Sequence, residues 1–262
     1  MHKWYLDDGA LLGPISVLEN ALGVLVEALP GIGMALNVRK TTVWGPELGP
    51  GSLTWAPREG SPLAQVTRLE WLGGTTLLGV PVDAPRSRAR TADHLNKVQT
   101  KFEDLVGKVG SLADPQCAHA LLRSCLGPGK VLYALRTCDV FAGEDDFPGR
   151  VEAAHRGAFE VIVGGAISDA AWRQACLPLR LGGCGLGGVA ELAPVARLAA
   201  TLQFTRGVGP ILGMDNEGVE DAMLTCPDLL GRLQRVLSVD LDPLVGWART
   251  GRVVPEHGPS GK

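Results

Sequence analysis

Two periods of apolar residues follow one another along this chain, and they divide it into a strand-rich start and a helical remainder. Trp4-Tyr5-Leu6 precede Asp7-Asp8, and Gly9-Ala10-Leu11-Leu12 follow them. Apolar residues on both sides of a short acidic step, with a glycine beside it, predict a tight β-hairpin with both aspartates at its tip. Pro14 ends the hairpin. Val17, Leu18, Leu22, Leu25, Val26 and Leu29 then recur at helical spacing, Ser16 with Glu19 has the form of a capping box, and Pro30-Gly31 stops the helix. Residues 34–44 read as a strand. Residues 45–61 are rich in glycine and proline and read as a loop. Two apolar runs, 66–72 and 75–82, flank Gly73-Gly74, which reads as a hairpin turn.

Beyond this point the period is helical. Thr91 can cap a helix whose Leu95, Val98, Phe102, Leu105 and Val109 share one face. Asp114-Pro115 places a cap and a first-turn proline before a helix bearing Ala118, Leu121, Leu122 and Cys125, which ends at Gly127-Pro128-Gly129. Residues 130–138 continue as helix. Residues 151–163 form another, closed by Gly164-Gly165, and Ser168 or Asp169 caps a short one carrying Trp172. Residues 189–205 read as a long apolar helix, with Pro194 a kink site and residues 207–210 its end. A last helix is expected within 215–237, then a frayed tail. The fold class is α+β and mostly helical: a small antiparallel β region and a β-hairpin in the N-terminal third, then helices.

Composition narrows the function classes. The chain has 262 residues, 45% apolar, with 35 glycines and 18 prolines, so it is a folded protein with many turns. Its net charge of −3 is unlike that of a free-standing nucleic-acid binder, so any such surface must be local. The six cysteines contain no C-x-x-C pair, and Asp7 and Asp8 fall where a signal peptide would need an apolar core. They read as reduced intracellular thiols used for packing; nuclear and cytoplasmic placement stay equally open. The apolar run 21–29 is broken by Glu27 and is too short for a bilayer, so no membrane partner is expected. The five histidines have no metal-ligand spacing.

Two adjacent carboxylates on a hairpin tip offer hard oxygen ligands in a small volume. Mg²⁺ takes such ligands, and phosphoryl transfer uses such ions to neutralise charge on attacking and leaving oxygens. Tyr5-Leu6-Asp7-Asp8 resembles the Tyr-x-Asp-Asp box of reverse transcriptases, and the chain around it is similar to the non-LTR retrotransposon branch of that family. Leu36-Asn37-Val38-Arg39-Lys40-Thr41 resembles the family's Leu-Asn-x-x-Lys segment, one helix and one turn after the box. Leu77-Leu78-Gly79-Val80-Pro81-Val82 resembles the Leu-Gly-x-Pro hairpin that the family places under the primer terminus, with Asp83 where the family usually has glycine. Residues 121–125 and 133–136 resemble its Leu-Leu-Arg and Tyr-x-Leu-Arg segments, and residues 174–187 its Gln-Ala-x-Leu-Pro-x-x-x-Gly-Gly-x-Gly-Leu segment. The resemblance covers residues 1 to about 205.

That resemblance implies an RNA-directed DNA polymerase fragment. Residues 1–84 would be a partial palm, 85–140 thumb-like helices, 141–240 a helical extension and 241–262 a tail. Asp7 and Asp8 would ligate Mg²⁺ or Mn²⁺, and Lys40 would lie near the nucleotide phosphates. Leu78 and Gly79 would meet the primer. The stretch 86–108, with six Lys/Arg against three Asp/Glu, has two readings from its charge: a phosphate-contacting thumb helix, with Arg86, Arg88, Arg90, Lys97 and Lys101 on the nucleic acid, or a solvated amphipathic face. Partners would be an RNA template, a DNA primer and dNTPs. The family's other metal-binding aspartate and its fingers lie upstream of the box, so the expectation is a fragment that is inactive alone. Two alternatives differ in class. One is a non-catalytic helical remnant that binds nucleic acid or protein. The other is a dinucleotide enzyme built on Gly183-x-Gly185-x-x-Gly188; the helices upstream, Pro178 and the missing strand-borne acid all speak against that.

Overall fold

The computed structural model describes residues 2–5, 8–46, 57–85, 87–141 and 146–212. Among them the chain is mostly helical, with three small two-stranded sheets. It divides into two compact units, Met1–His94 and Leu95–Lys262.

In the first unit, β1 (His2–Tyr5) and β2 (Asp8–Leu11) form an antiparallel hairpin in which Tyr5 faces Asp8 and Trp4 faces Gly9. Gly9 therefore lies within a strand rather than in the turn. Helix α1 (Ile15–Ala28) follows directly on Pro14, and a 3₁₀ turn, Leu29–Ile32, carries it through Pro30 to Gly33 at φ +76°. The expected capping box does not form, because the Glu19 carboxylate is engaged elsewhere. It accepts the Arg58 amide at 2.9 Å and pairs with Arg58 Nε at 3.6 Å. The hydroxyl of Ser61, then the Arg58 amide and charge, hold this carboxyl below its ordinary range.

The strand expected over 34–44 shrinks to β3 (Thr42–Val43). Asn37 is the reason. Its backbone carbonyl accepts the amides of Lys40 and Thr41, each at 3.0 Å, and its side chain accepts the Lys40 amide at 3.2 Å. Asparagine bonding to the backbone ahead of it folds the chain into a turn. Strand β3 pairs with β4 (Thr67–Arg68) in parallel, where antiparallel pairing was expected. The rings of Trp44 and Trp71 stack beside this pair with centroids 4.4 Å apart, and Trp44 Nε1 donates to the Trp71 carbonyl at 3.1 Å.

The hairpin expected between 66–72 and 75–82 about Gly73-Gly74 does not form: β4 pairs with β3 instead. Strands β5 (Thr75–Leu77) and β6 (Val80–Val82) are antiparallel, joined by Leu78-Gly79 and not by Gly73-Gly74. Leu78 at φ +50° and Gly79 at φ +77° suit the two central positions of a type I′ turn. Gly74 serves another need: a Cβ there would lie 2.6 Å from the Val82 carbonyl and 2.8 Å from Arg90 Cβ. Among the described residues the core of this unit consists of Leu22, Val43, Leu63 and Val66, with Ile15, Leu36 and Val38 partly buried against them.

Helix α2 (Ala89–Gly110) contains the division between the units. It starts two residues before Thr91, so Thr91 is not its cap. In the second unit it is joined by α3 (Pro115–Cys125), α4 (Leu132–Thr137), α5 (Phe147–Val163), α6 (Asp169–Cys176) and α7 (Val189–Leu212). Their starts follow local chemistry. Asp114 accepts the Gln116 amide at 2.8 Å ahead of Pro115, as the sequence predicts. Asp146 caps α5 through the Gly149 amide, so the helix starts at Phe147, four residues before the expected start. Ser168, not Asp169, caps α6 through the Ala171 amide. The expected face of α2 is inward: Leu95 and Phe102 are buried, with Val98, Leu105 and Val109 packed around the same core. Helix α7 runs beyond 207–210 to Leu212. Once a helix exists, each added residue is fixed by one more bond, so glycine and proline weaken the last turns without stopping them.

Candidate nucleic-acid interface

The expected site residues fall at four places. Asp7 and Arg86 lie outside the described residues, as does Leu6 of the aspartate box. Asp8 opens β2 opposite Tyr5. Among the described residues no cluster of three or more His, Cys, Asp or Glu is arranged for a metal. Lys40 is exposed on the Asn37 turn and not on a strand.

Leu78 and Gly79 form the exposed tip of the β5–β6 hairpin. The base of this hairpin is tied to the start of α2. Asp83 Oδ1 accepts the Arg90 amide at 2.8 Å, and Oδ2 accepts the Thr91 amide at 3.2 Å and the Thr91 hydroxyl at 2.5 Å. Those amides sit in the first turn of α2, where no intrahelical acceptor exists. Asp83 thus performs the capping that the sequence suggested for Thr91. Arg90 is half-buried, and its Nε donates to Thr76 Oγ1 on β5 at 3.2 Å. Arg88 is half-buried as well. Of the basic residues expected to touch nucleic acid, Lys97 and Lys101 are exposed on α2, four positions apart and so on one face.

The glycine run does not make a phosphate cradle. Such a cradle needs backbone amides free to meet an anion. Here the amides of Cys184 and Leu186 donate to the Ala175 carbonyl, that of Gly185 to Leu177 and that of Gly187 to Cys176, closing the C-terminal end of α6. Gly183 packs so tightly that a Cβ would fall 2.0 Å from the Leu177 carbonyl oxygen. Ala190, in the first turn of α7, gives its amide to Glu152 Oε2 at 2.6 Å. The dinucleotide alternative therefore lacks its donors, and this stretch is a tight turn between helices.

Sequence reasoning missed two polar centres. Glu19 with Arg58 and Ser61 fixes α1 in the first unit, and its signal was a lone acid inside an apolar helical stripe. Glu152 of α5 accepts from Trp172 Nε1 at 3.0 Å as well as from Ala190, so it clasps α6 and α7 together. None of the five described cysteines is in a disulfide. Burial pushes the Cys176 thiol up to about 12, so it stays protonated and is a poor nucleophile. The stretch Ile15–Ile32 is long and apolar enough by length and composition to cross a membrane, unlike the shorter run judged from sequence. Glu19 and Leu22, one turn apart, are the residues of α1 that the fold buries.

No family model matches this chain, and neither a curated protein nor a solved structure matches it.

Proposed function

We propose that the chain is the palm-end and thumb-like portion of an RNA-directed DNA polymerase of the non-LTR type. The observation that carries this reading is the order of its stretches. An aspartate-pair hairpin is followed by a helix, an Asn37-to-Lys40 segment, a Leu78-Gly79 hairpin and a basic helix, each in the family's sequence. In such an enzyme Asp7 and Asp8 hold a divalent ion, which when bound offsets charge on the phosphoryl oxygens. Lys40 sits near the incoming phosphates. The Leu78-Gly79 tip supports the primer end, and Lys97 and Lys101 contact duplex phosphates.

The reading is tested in two stages. A labelled RNA–DNA heteroduplex titrated against the full chain is expected to bind, with affinity falling steeply between about 50 and 200 mM salt. Replacing Lys97 and Lys101 with alanine together should lower the slope of log affinity against log salt by about 2. Absence of binding at both salts removes the duplex-holding role. Joined to a segment supplying the family's upstream aspartate, the chain is expected to extend a primer with Mg²⁺ or Mn²⁺, and Asp7→Ala to abolish extension. Extension that survives this substitution overturns the catalytic assignment. The second reading, a non-catalytic nucleic-acid-binding module, is favoured by the shared exposed face of Lys97 and Lys101. Salt-sensitive binding without extension by the joined protein selects it.

A further inference from the structure

His155 lies on α5 with none of its surface exposed. Neither ring nitrogen makes a hydrogen bond, although a neutral imidazole carries one donor and one acceptor and an imidazolium carries two donors. Phe102 of α2 meets the ring edge-on with centroids 6.2 Å apart and planes at 71°, and Trp172 of α6 does so at 5.8 Å and 88°. The ring cluster continues from Trp172 through Phe159 to His119 of α3, whose Nε2 is also buried without a hydrogen bond. The charge that acts on His155 is Glu152, three residues earlier on the same helix, and its carboxylate is already shared between Trp172 Nε1 and the Ala190 amide. The Leu122 carbonyl of α3 lies near enough to favour a protonated ring without making a bond of normal geometry.

An apolar, ring-lined pocket accepts the neutral imidazole and penalises the cation, whose two donors would be buried with only the Leu122 carbonyl near them. We propose that His155 is an acid-sensitive wedge: its ring takes up a proton only when the packing of α2 and α6 against α5 opens, so acidification unlocks the second unit at this cluster. Trp172 makes the opening consequential. It contacts His155 with its ring and Glu152 with its Nε1, so its displacement also removes one of the two donors on the Glu152 clasp that holds the start of α7.

The direction follows from proton binding in the two states. Burial pushes the folded-state pKa of His155 down to about 4, against an ordinary 6.5. Above about 6.5 both open and closed states are neutral, and the cluster is fully stable. Between about 6.5 and 4 only the open state binds the proton, so the closed state loses ground by about tenfold per pH unit. Below that window the dependence flattens.

The test is amide hydrogen exchange on the full chain, corrected for the intrinsic pH dependence, at about pH 7 and about pH 5, beside His155→Leu. In the wild type, amides of α5 and α6 should lose more than tenfold of their protection on acidification. In His155→Leu that loss should shrink to less than threefold. Equal losses in both proteins overturn the proposal. Should the variant not fold, the ring resonances of wild-type His155 decide. A ring that stays neutral until the opening transition supports the wedge, and a ring titrating near 6.5 in the closed protein sinks it.

Discussion

Leu78 occupies a backbone conformation that suits asparagine or glycine better. At φ +50° its side chain sits in the left-handed region, beside Gly79 at +77°, and a non-glycine residue there costs about 1–2 kcal/mol. Leu78→Asn is expected to stabilise the first unit by about 1 kcal/mol, read as a higher urea midpoint for that unit. Under the proposed function, in which this tip supports the primer end, the same variant gains stability and loses heteroduplex affinity. A lower midpoint would mean that leucine contributes packing worth more than the strain. At this scale the sequence was readable where a residue acts on its own neighbours. Asp114 ahead of Pro115 is such a case, because its partners are the amides two and three positions on. Asn37 acts as locally, but its turn was hidden by the apolar residues around it that suggested a strand. His155 was not readable at all, since its surroundings come from three other helices.

Elements were legible in kind and less so in boundary. All the helices expected within the described residues exist, and in α2 the apolar stripe is the face it buries. A hairpin between 66–72 and 75–82 was expected about Gly73-Gly74 and does not form, because glycine serves both positive φ and close approach. Gly74 is needed for the second, between Val82 and Arg90, while Leu78-Gly79 makes the turn. The start of α2 was misplaced for a related reason: its capping carboxylate is Asp83, which reaches amides seven and eight positions on. Asp83→Ala is expected to cost about 1 kcal/mol of stability, as loss of a helix cap does, and Asp83→Asn only part of that. Thermal unfolding of the two variants checks this; equal losses would assign the effect to charge and not to hydrogen bonding. Helix α1 shows the opposite limit. Its stripe predicts a buried face, yet Val17 and Val26 are exposed and only Glu19 and Leu22 are buried.

Across the whole molecule, the two units differ in the means that hold them. The second has a continuous core through Phe102, Leu122, Leu135, Phe147, Val151, Trp172, Leu186 and Val189, contributed by helices far apart in sequence. Among the described residues the first rests on Leu22, Val43, Leu63 and Val66 and on two-stranded ribbons, and such ribbons are marginal without a third strand or a covering helix. Hydrophobic period shows which face of a helix turns inward but not which helix it meets, so the sequence could place the strand-rich and helical regions without revealing this contrast in cores. Local stability follows buried apolar contact, which gives the contrast a measurable form. Amides of α1 and of the β5–β6 hairpin are expected to exchange at least about a hundredfold faster than those of α2 beyond Leu95 and of α5 at neutral pH. Removing Phe102, which is buried to 2% exposure at the centre of the larger core, should cost about 3–5 kcal/mol as Phe102→Ala and bring the α5 amides down toward the rates of the first unit. Equal protection in both units of the wild type would mean that they unfold together, and the small core of the first would then not be its limit.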